Sequence, residues 1–143
     1  MKRFFTVPVH STKEDVALLL LRVVAGIAFM MHGWGKIQNP MSWMGPTAPV
    51  PGFLQLLAAV AEFGGGLAWI LGLLVPLASL GVLITMFVAA LMHAVVLKDP
   101  FVNAKGGGSY ELASIYLCIA LLLMLAGPGQ FSADRKIFGA RSA

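Results

Sequence analysis

The sequence contains few charged residues and one cysteine. Aspartate, glutamate, lysine and arginine make up 11% of the 143 residues, whereas a soluble domain carries about 25%. Hydrophobic residues supply 59% of the chain, and there are 16 glycines in addition. A soluble domain needs more polar surface than this, so the composition excludes an ordinary soluble domain, a disordered chain and a coiled coil. It indicates a small membrane protein of one domain.

The lone Cys118 excludes an intrachain disulfide and a cysteine-ligated zinc or iron–sulfur centre within the chain. The formal net charge is +4, but the sequence has no nucleic-acid-binding motif and its basic residues flank apolar segments. The basic residues are therefore expected to contact membrane lipid with anionic headgroups, and no nucleic-acid partner is expected.

Four apolar segments predict four membrane-spanning helices, at about residues 16–35, 53–74, 76–97 and 111–126. The first three are long enough to cross a hydrocarbon core of about 30 Å, and the fourth is near the lower limit. Lipid offers no hydrogen bonds to strand edges, so the predicted fold is an all-α integral membrane four-helix bundle forming one domain, 1–143. A capping box, Ser11–Glu14, is predicted to open the first helix. Val75-Pro76 is predicted to form a tight turn between the second and third.

Lysine and arginine predict the orientation of this bundle. With four crossings, both termini lie on one side, which carries Lys2, Arg3, Lys13, Arg135, Lys136 and Arg141. The other side carries Lys36, Lys98 and Lys105. The positive-inside rule then places both termini, and the tail 127–143, in the cytoplasm. The expected location is the inner (cytoplasmic) membrane, as a multi-pass protein.

Ionisable residues inside membrane helices cost about 2.5–3.5 kcal/mol at the helix centre and often mark function. Helical spacing places the polar residues of each apolar segment on the face that packs against other helices. On the fourth helix this spacing predicts a stripe of Glu111, Ser114 and Cys118. Arg22 and Glu62 are predicted to form an ion pair, which either only fixes helix packing or contributes to a site. The candidate ligand-binding residues are His32, Lys36, Glu62, His93 and Glu111.

If these candidates converge, they form a polar pocket that can exchange protons with a redox ligand. Histidine titrates near neutral pH and can pass a proton to a quinone oxygen. The alternative is that Lys36 extends to the membrane surface and that His32 and His93 make structural hydrogen bonds. The two histidines lack the tight spacing typical of a metal site, so no metal is predicted.

Several short motifs, in their order and spacing, resemble those of the DoxX family of small bacterial four-helix membrane proteins. They lie between about Leu18 and Phe138: Leu20-Leu21-Arg22, His32-Gly33-Trp34-Gly35-Lys36, Glu62-Phe63-Gly64-Gly65-Gly66, Tyr110-Glu111-Leu112 and the tail segment from Gly127 to Asp134. The family takes its name from a membrane subunit of an archaeal thiosulfate:quinone oxidoreductase. The resemblance therefore implies a subunit or accessory of an oxidoreductase system, in a quinone-linked or oxidative- or thiol-stress redox process.

The chain has no flavin, haem or nicotinamide motif, so electron transfer would need a bound quinone or the cofactor of a redox partner protein. Whether the chain is itself an enzyme is left open. Two other functions fit the same sequence: a membrane anchor or scaffold for a partner protein, and a small-solute permeation protein that uses Arg22, Gln55 and Glu62. Permeation through four helices would require a homo-oligomer.

Overall fold

The computed structural model describes residues 5–141, so Lys2 and Arg3, which were counted for orientation, lie outside the described residues. Four main helices follow one another: α1 Thr12–Gln38, α2 Gly52–Leu71, α3 Val75–Leu91 and α4 Glu111–Ala126. A π-helical turn, Met92–Val96, extends α3, and a short α5, Ala133–Phe138, lies in the tail. Near the two termini, Val7 and Ala140 form a β-bridge.

The all-helical prediction is confirmed for the described residues, which contain no β-strand. Three helices are long and apolar enough to cross a membrane: α1, α2 and α3 with its π-helical turn, Val75–Val96. The fourth, α4, is apolar but shorter, as its sequence predicted. The helix bounds also agree closely with the four predicted spans.

The predicted capping box opens α1. The backbone N–H of Ser11 donates to Glu14 Oε2 at 2.7 Å, and the backbone N–H of Glu14 donates to Ser11 Oγ at 3.4 Å. Helix α1 consequently begins at Thr12, one turn before the apolar segment itself. Local sequence was sufficient to predict this end because both partners lie within four residues.

The turn between α2 and α3 lies three residues before its predicted place. Gly72 ends α2 with a φ of +65°, a left-handed conformation that glycine adopts without steric cost. Pro76 instead lies in the first turn of α3, where a proline costs no intrahelical hydrogen bond. The prediction of a Val75-Pro76 turn was therefore wrong, and α2 ends at Leu71.

Glycines allow α1 and α2 to pack closely and antiparallel. A Cβ on Gly33 would lie 2.6 Å from the backbone nitrogen of Phe63, and one on Gly26 would lie 2.6 Å from the carbonyl oxygen of Gly66. Small residues at such crossings let membrane helices associate by close van der Waals packing. These contacts fix the register, in which Gly33 is level with Phe63.

The buried face of α4 differs from the predicted stripe. Tyr116, Ala120 and Leu123 are buried, whereas Cys118 is exposed and the Ser114 hydroxyl donates to the carbonyl of Tyr110 in its own helix. Helix α4 is apolar on nearly every side, so its periodicity did not identify the packed face.

The predicted Arg22–Glu62 ion pair is absent from the structure, because the register places the two residues at different levels of the bundle. Arg22 is fully buried beside the α2–α3 turn, where its Nη2 donates to the carbonyl of Phe131 at 2.7 Å. A Cβ on Gly72 would overlap Arg22 Nη1, so the turn leaves room for the guanidinium. Arg22 therefore connects α1 to the C-terminal segment.

Asp134 completes this buried group, which we call the terminal cluster (Asp15, Arg22 and Asp134). Its carboxylate accepts the backbone N–H groups of Leu74 at 2.6 Å and Val75 at 2.9 Å, and so caps the N-terminus of α3 from the tail. Burial raises the pKa of Asp134, while those two N–H groups and the charge of Arg22 act in the opposite direction. The carboxylate of Asp15 similarly accepts the N–H of Gln130 at 2.8 Å.

Candidate functional site

A cavity of about 220 Å³ lies at the end of the bundle opposite the terminal cluster. It is formed where the end of α1, the middle of α2, the end of α3 and the start of α4 meet. Its lining residues are Phe29, His32, Lys36, Glu62, Met86, Ala89, His93, Ser109, Leu112, Ala113 and Tyr116. The structure thus brings four of the five candidate residues to one cavity.

Lys36 and Glu62 form an ion pair in the wall of this cavity. Lys36 Nζ donates to Glu62 Oε1 at 2.5 Å, and Nζ also lies 4.5 Å from the centre of the Trp43 ring. Glu62 is only 3% exposed, and its second oxygen, Oε2, is buried without a hydrogen-bond partner among the described residues. The pair therefore keeps a charged carboxylate in the bundle with one oxygen unused.

His93 lies in the π-helical turn at the end of α3 and is held by a carboxylate. Its Nδ1 is 2.7 Å from Asp99 Oδ2, and the backbone N–H of Asp99 donates to the carbonyl of His93 at 2.9 Å. Gly108 passes against Asp99 so closely that a Cβ there would overlap the carboxylate. The loop after α3 thus folds back and fixes the ring of His93, as second partners of functional histidines commonly do.

The remaining candidates occupy the rim of the cavity or lie outside it. His32 lines the cavity but is exposed, and its ring centre lies 6.4 Å from that of the buried Tyr116. Glu111 begins α4 and is not among the lining residues. The structure therefore separates Glu111 from the four candidates that it brings together.

A second cavity of about 250 Å³ adjoins the first and is almost entirely apolar. It lies between α2, α3 and the loop 39–51, and it shares Lys36 and Glu62 with the first cavity. Buried Gln55 holds this loop, because its Nε2 donates to the carbonyl of Val50 at 2.8 Å and its Oε1 accepts the N–H of Met44 at 3.1 Å. Gln55 thus has a structural role.

Two residues of the site were missed by sequence reasoning. Asp99 lies in a loop after the third apolar segment, and only its position six residues after His93 offered a signal. Tyr116 lies in an apolar helix, where an aromatic residue is usually a packing residue. Its ring packs edge-on against Phe29, with centres 4.5 Å apart, and the same ring faces the cavity.

This arrangement can hold a small polar ring and exchange protons with it. The carboxylate of Glu62 and the imidazole of His93 are groups that accept and release protons, and the Tyr116 hydroxyl both donates and accepts hydrogen bonds. Apolar side chains of α3 and α4 surround them. Such a combination, few polar groups in a mostly apolar cavity, is typical of small-molecule sites.

Comparison with known proteins places the chain among bacterial membrane proteins. The DoxX family model matches residues 17–94. The chain is 36% identical over 134 residues to "Inner membrane protein YqjF" of Escherichia coli, with 87% of this chain and 94% of the relative covered. It is 29% identical over 127 residues to "Putative oxidoreductase CatD" of Bacillus subtilis, with 87% and 89% covered. No solved structure matches the chain significantly.

Proposed function

Because the chain belongs to the DoxX family, we propose that this multi-pass inner membrane protein supports a quinone-linked redox process by binding the quinone in the cavity beside Glu62. The observation that carries the proposal is the convergence of Lys36, Glu62, His93 and Tyr116 on one cavity. Ionisable groups inside a membrane bundle are expensive and usually functional. The oxidoreductase name of CatD agrees with a redox role.

The residues fit a quinone in size and chemistry. The cavity is mostly apolar, as a quinone ring requires, and hydrogen-bonding groups lie at its wall. The apolar cavity next to it opens between α2 and α3, where an alkyl substituent would remain among apolar side chains. A bound quinone supplies the electron-accepting chemistry that side chains lack. The chain's own residues position it and exchange protons, with Asp99 orienting His93.

The permeation alternative loses much of its support from the same structure. Of the three residues that motivated it, Arg22 is bonded to the C-terminal segment and Gln55 holds a loop. Of the three, only Glu62 lines the first cavity, while Gln55 lines the second. A redox partner protein remains part of the proposal, since electrons that reach the quinone need a donor with its own cofactor.

We also propose that both termini are cytoplasmic. Supporting this orientation, the described basic residues Lys13, Arg135, Lys136 and Arg141 lie at the end of the bundle where the terminal segments meet. The positive-inside rule then directs the candidate site to the outer half of the membrane. Cysteine labelling from outside intact cells, with Lys105→Cys in a Cys118→Ser background, would give a signal, whereas Lys136→Cys would not.

Quinone binding itself is tested with the purified protein and a soluble short-chain quinone, decylubiquinone, by isothermal titration calorimetry. We expect one saturable site per chain. Lys36→Met should weaken binding at least tenfold, because the variant disrupts the ion pair in the cavity wall. Lys136→Met, on the exposed face of α5, is the matched control. Absence of binding by the wild type, or equal weakening by both variants, would contradict the proposal.

A further inference from the structure

The polar groups at the cavity differ in whether they donate or accept hydrogen bonds. A quinone carbonyl only accepts hydrogen bonds, whereas each hydroxyl of the reduced ring can donate one. The protein atoms that remain unused at the cavity therefore determine which form fits better. This reasoning rests on the proposed function and concerns the same site.

Glu62 provides an unused acceptor. Its Oε1 is taken by Lys36, while Oε2 is buried and without a partner among residues 5–141. Leaving a buried acceptor unsatisfied is unfavourable, because it has lost its hydrogen bonds to water. A ligand hydroxyl that donates to Oε2 would remove this cost and form a charge-assisted hydrogen bond, which is stronger than a neutral one. A carbonyl oxygen at the same place would meet a like partial charge.

His93 provides a second acceptor in its neutral form. A carboxylate accepts but cannot donate, so Asp99 requires the proton of neutral His93 to be on Nδ1. The lone pair of the ring then lies on Nε2, the nitrogen left for a ligand. Glu62 and His93 both line the cavity, so a ligand bound there lies beside two acceptors.

The donors at the cavity do not reverse this preference. Lys36 Nζ is bonded to Glu62 and lies over the ring of Trp43. Its remaining N–H groups can donate to a carbonyl oxygen or to a hydroxyl oxygen, so they suit both forms of a ligand. Tyr116 and His32 carry groups that can donate or accept, and they suit both forms of a ligand. We propose that the cavity selects the reduced, dihydroxy form of an aromatic ring, a hydroquinone, over the corresponding quinone, through Glu62 Oε2 and through His93 oriented by Asp99.

The test compares three probes of nearly equal shape: tetramethylhydroquinone, tetramethylbenzoquinone and the dimethyl ether of the hydroquinone. The full-length protein is titrated in detergent under argon by calorimetry. The hydroquinone should bind at least tenfold more tightly than the quinone. The ether has no hydroxyl to donate, so it should bind at least tenfold more weakly than the hydroquinone. This comparison needs no variant, so it does not depend on folding of a mutant.

Variants then assign the selectivity to residues. Glu62→Gln should lower hydroquinone affinity about tenfold with little effect on the quinone. Asp99→Asn should reduce the ratio of the two affinities severalfold, because its amide can donate to Nδ1 and move the ring proton to Nε2. A purely structural role of Asp99 would weaken both forms equally and would contradict its assignment. Glu111→Gln, outside the cavity, should leave both affinities unchanged.

The outcomes distinguish a failure of this inference from a failure of the proposed function on which it rests. If the wild type binds the quinone as tightly as the hydroquinone, or more tightly, the selectivity is contradicted while quinone binding stands. If none of the three probes binds, the proposed function itself fails. If the ether binds as well as the hydroquinone, hydroxyl donation is contradicted.

Discussion

The two ends of the bundle contain buried carboxylates that differ in how many of their oxygens accept hydrogen bonds. In the terminal cluster, Asp134 uses both carboxylate oxygens on backbone N–H groups, and Asp15 also has a backbone partner. At the cavity, Glu62 uses one oxygen and leaves the other buried and unpaired. Saturated buried carboxylates hold chain segments together, whereas an unsatisfied one beside a cavity is a place for a ligand. Buried carboxylates thus have two roles in one small bundle.

Removing Asp134 should have the largest effect on stability. Asp134→Ala leaves two N–H groups at the start of α3 without their acceptor and removes the negative charge of Asp134 from buried Arg22. Breaking a buried charged arrangement typically costs about 3–5 kcal/mol. Thermal unfolding in detergent should show a large fall in Tm, with hydroquinone binding retained in the folded fraction. Lys136→Ala, exposed on the same helix, should change stability by less than about 0.5 kcal/mol.

Replacing Gly33 should have the next largest effect. A Cβ at this position would lie 2.6 Å from the backbone of Phe63, so Gly33→Ala should separate α1 from α2 and cost about 1–3 kcal/mol. Gly35→Ala is the matched control, since a Cβ there meets nothing within 4 Å. Alanine in a helix is more stable than glycine by about 0.5–1 kcal/mol. Opposite shifts in Tm are therefore expected, and equal shifts would contradict the helix register.

Glu62→Gln should change stability little while it weakens the binding of hydroquinone. The amide fills the same space, and Lys36 is partly exposed, so its freed ammonium can be solvated. We expect a change of about 1 kcal/mol or less in the free energy of unfolding, as for ion pairs in contact with solvent, well below that of Asp134→Ala. Equal losses of Tm in the two variants would show that Glu62 is a structural residue and would remove the contrast between the two ends.

Asp99→Asn should have the smallest effect on stability. Asp99 is partly exposed and lies in a loop, where substitutions typically change stability by about 0.5 kcal/mol or less. Its effect should instead appear in the tautomer of His93, which nitrogen-15 NMR of labelled histidine can observe. An unchanged tautomer would contradict the orienting role of Asp99.

The sequence predicted the helices better than it predicted which polar side chains contact one another. The start of α1 was predictable because Ser11 and Glu14 are local partners. The ion-pair partner of Glu62 was not predictable, because Lys36 and Arg22 lie on the same face of α1. Only the register of α1 against α2, set where Gly33 meets Phe63, decides between them.

Partners that are distant in sequence left even less signal. Asp134 caps α3 from about 60 residues away, and nothing near Leu74 or Val75 indicates that a carboxylate is needed there. The convergence of His93 with Glu62 likewise depends on how α3 and α4 pack, and α4 is too uniformly apolar to reveal its buried face. The candidate residues were therefore predictable by type and depth, whereas their contacts required the structure.

The most direct test measures the Tm of wild type and Glu62→Gln side by side, with and without tetramethylhydroquinone. Ligand at about 100 times its Kd should stabilise the wild type by about 2.7 kcal/mol. We predict that Glu62→Gln, with nearly the wild-type Tm in the absence of ligand, retains only about 1.4 kcal/mol of this stabilisation at the same concentration, because a tenfold weaker affinity leaves the ligand at about 10 times its Kd. A full ligand-induced shift in Glu62→Gln, or no shift in the wild type, would contradict a ligand site at Glu62.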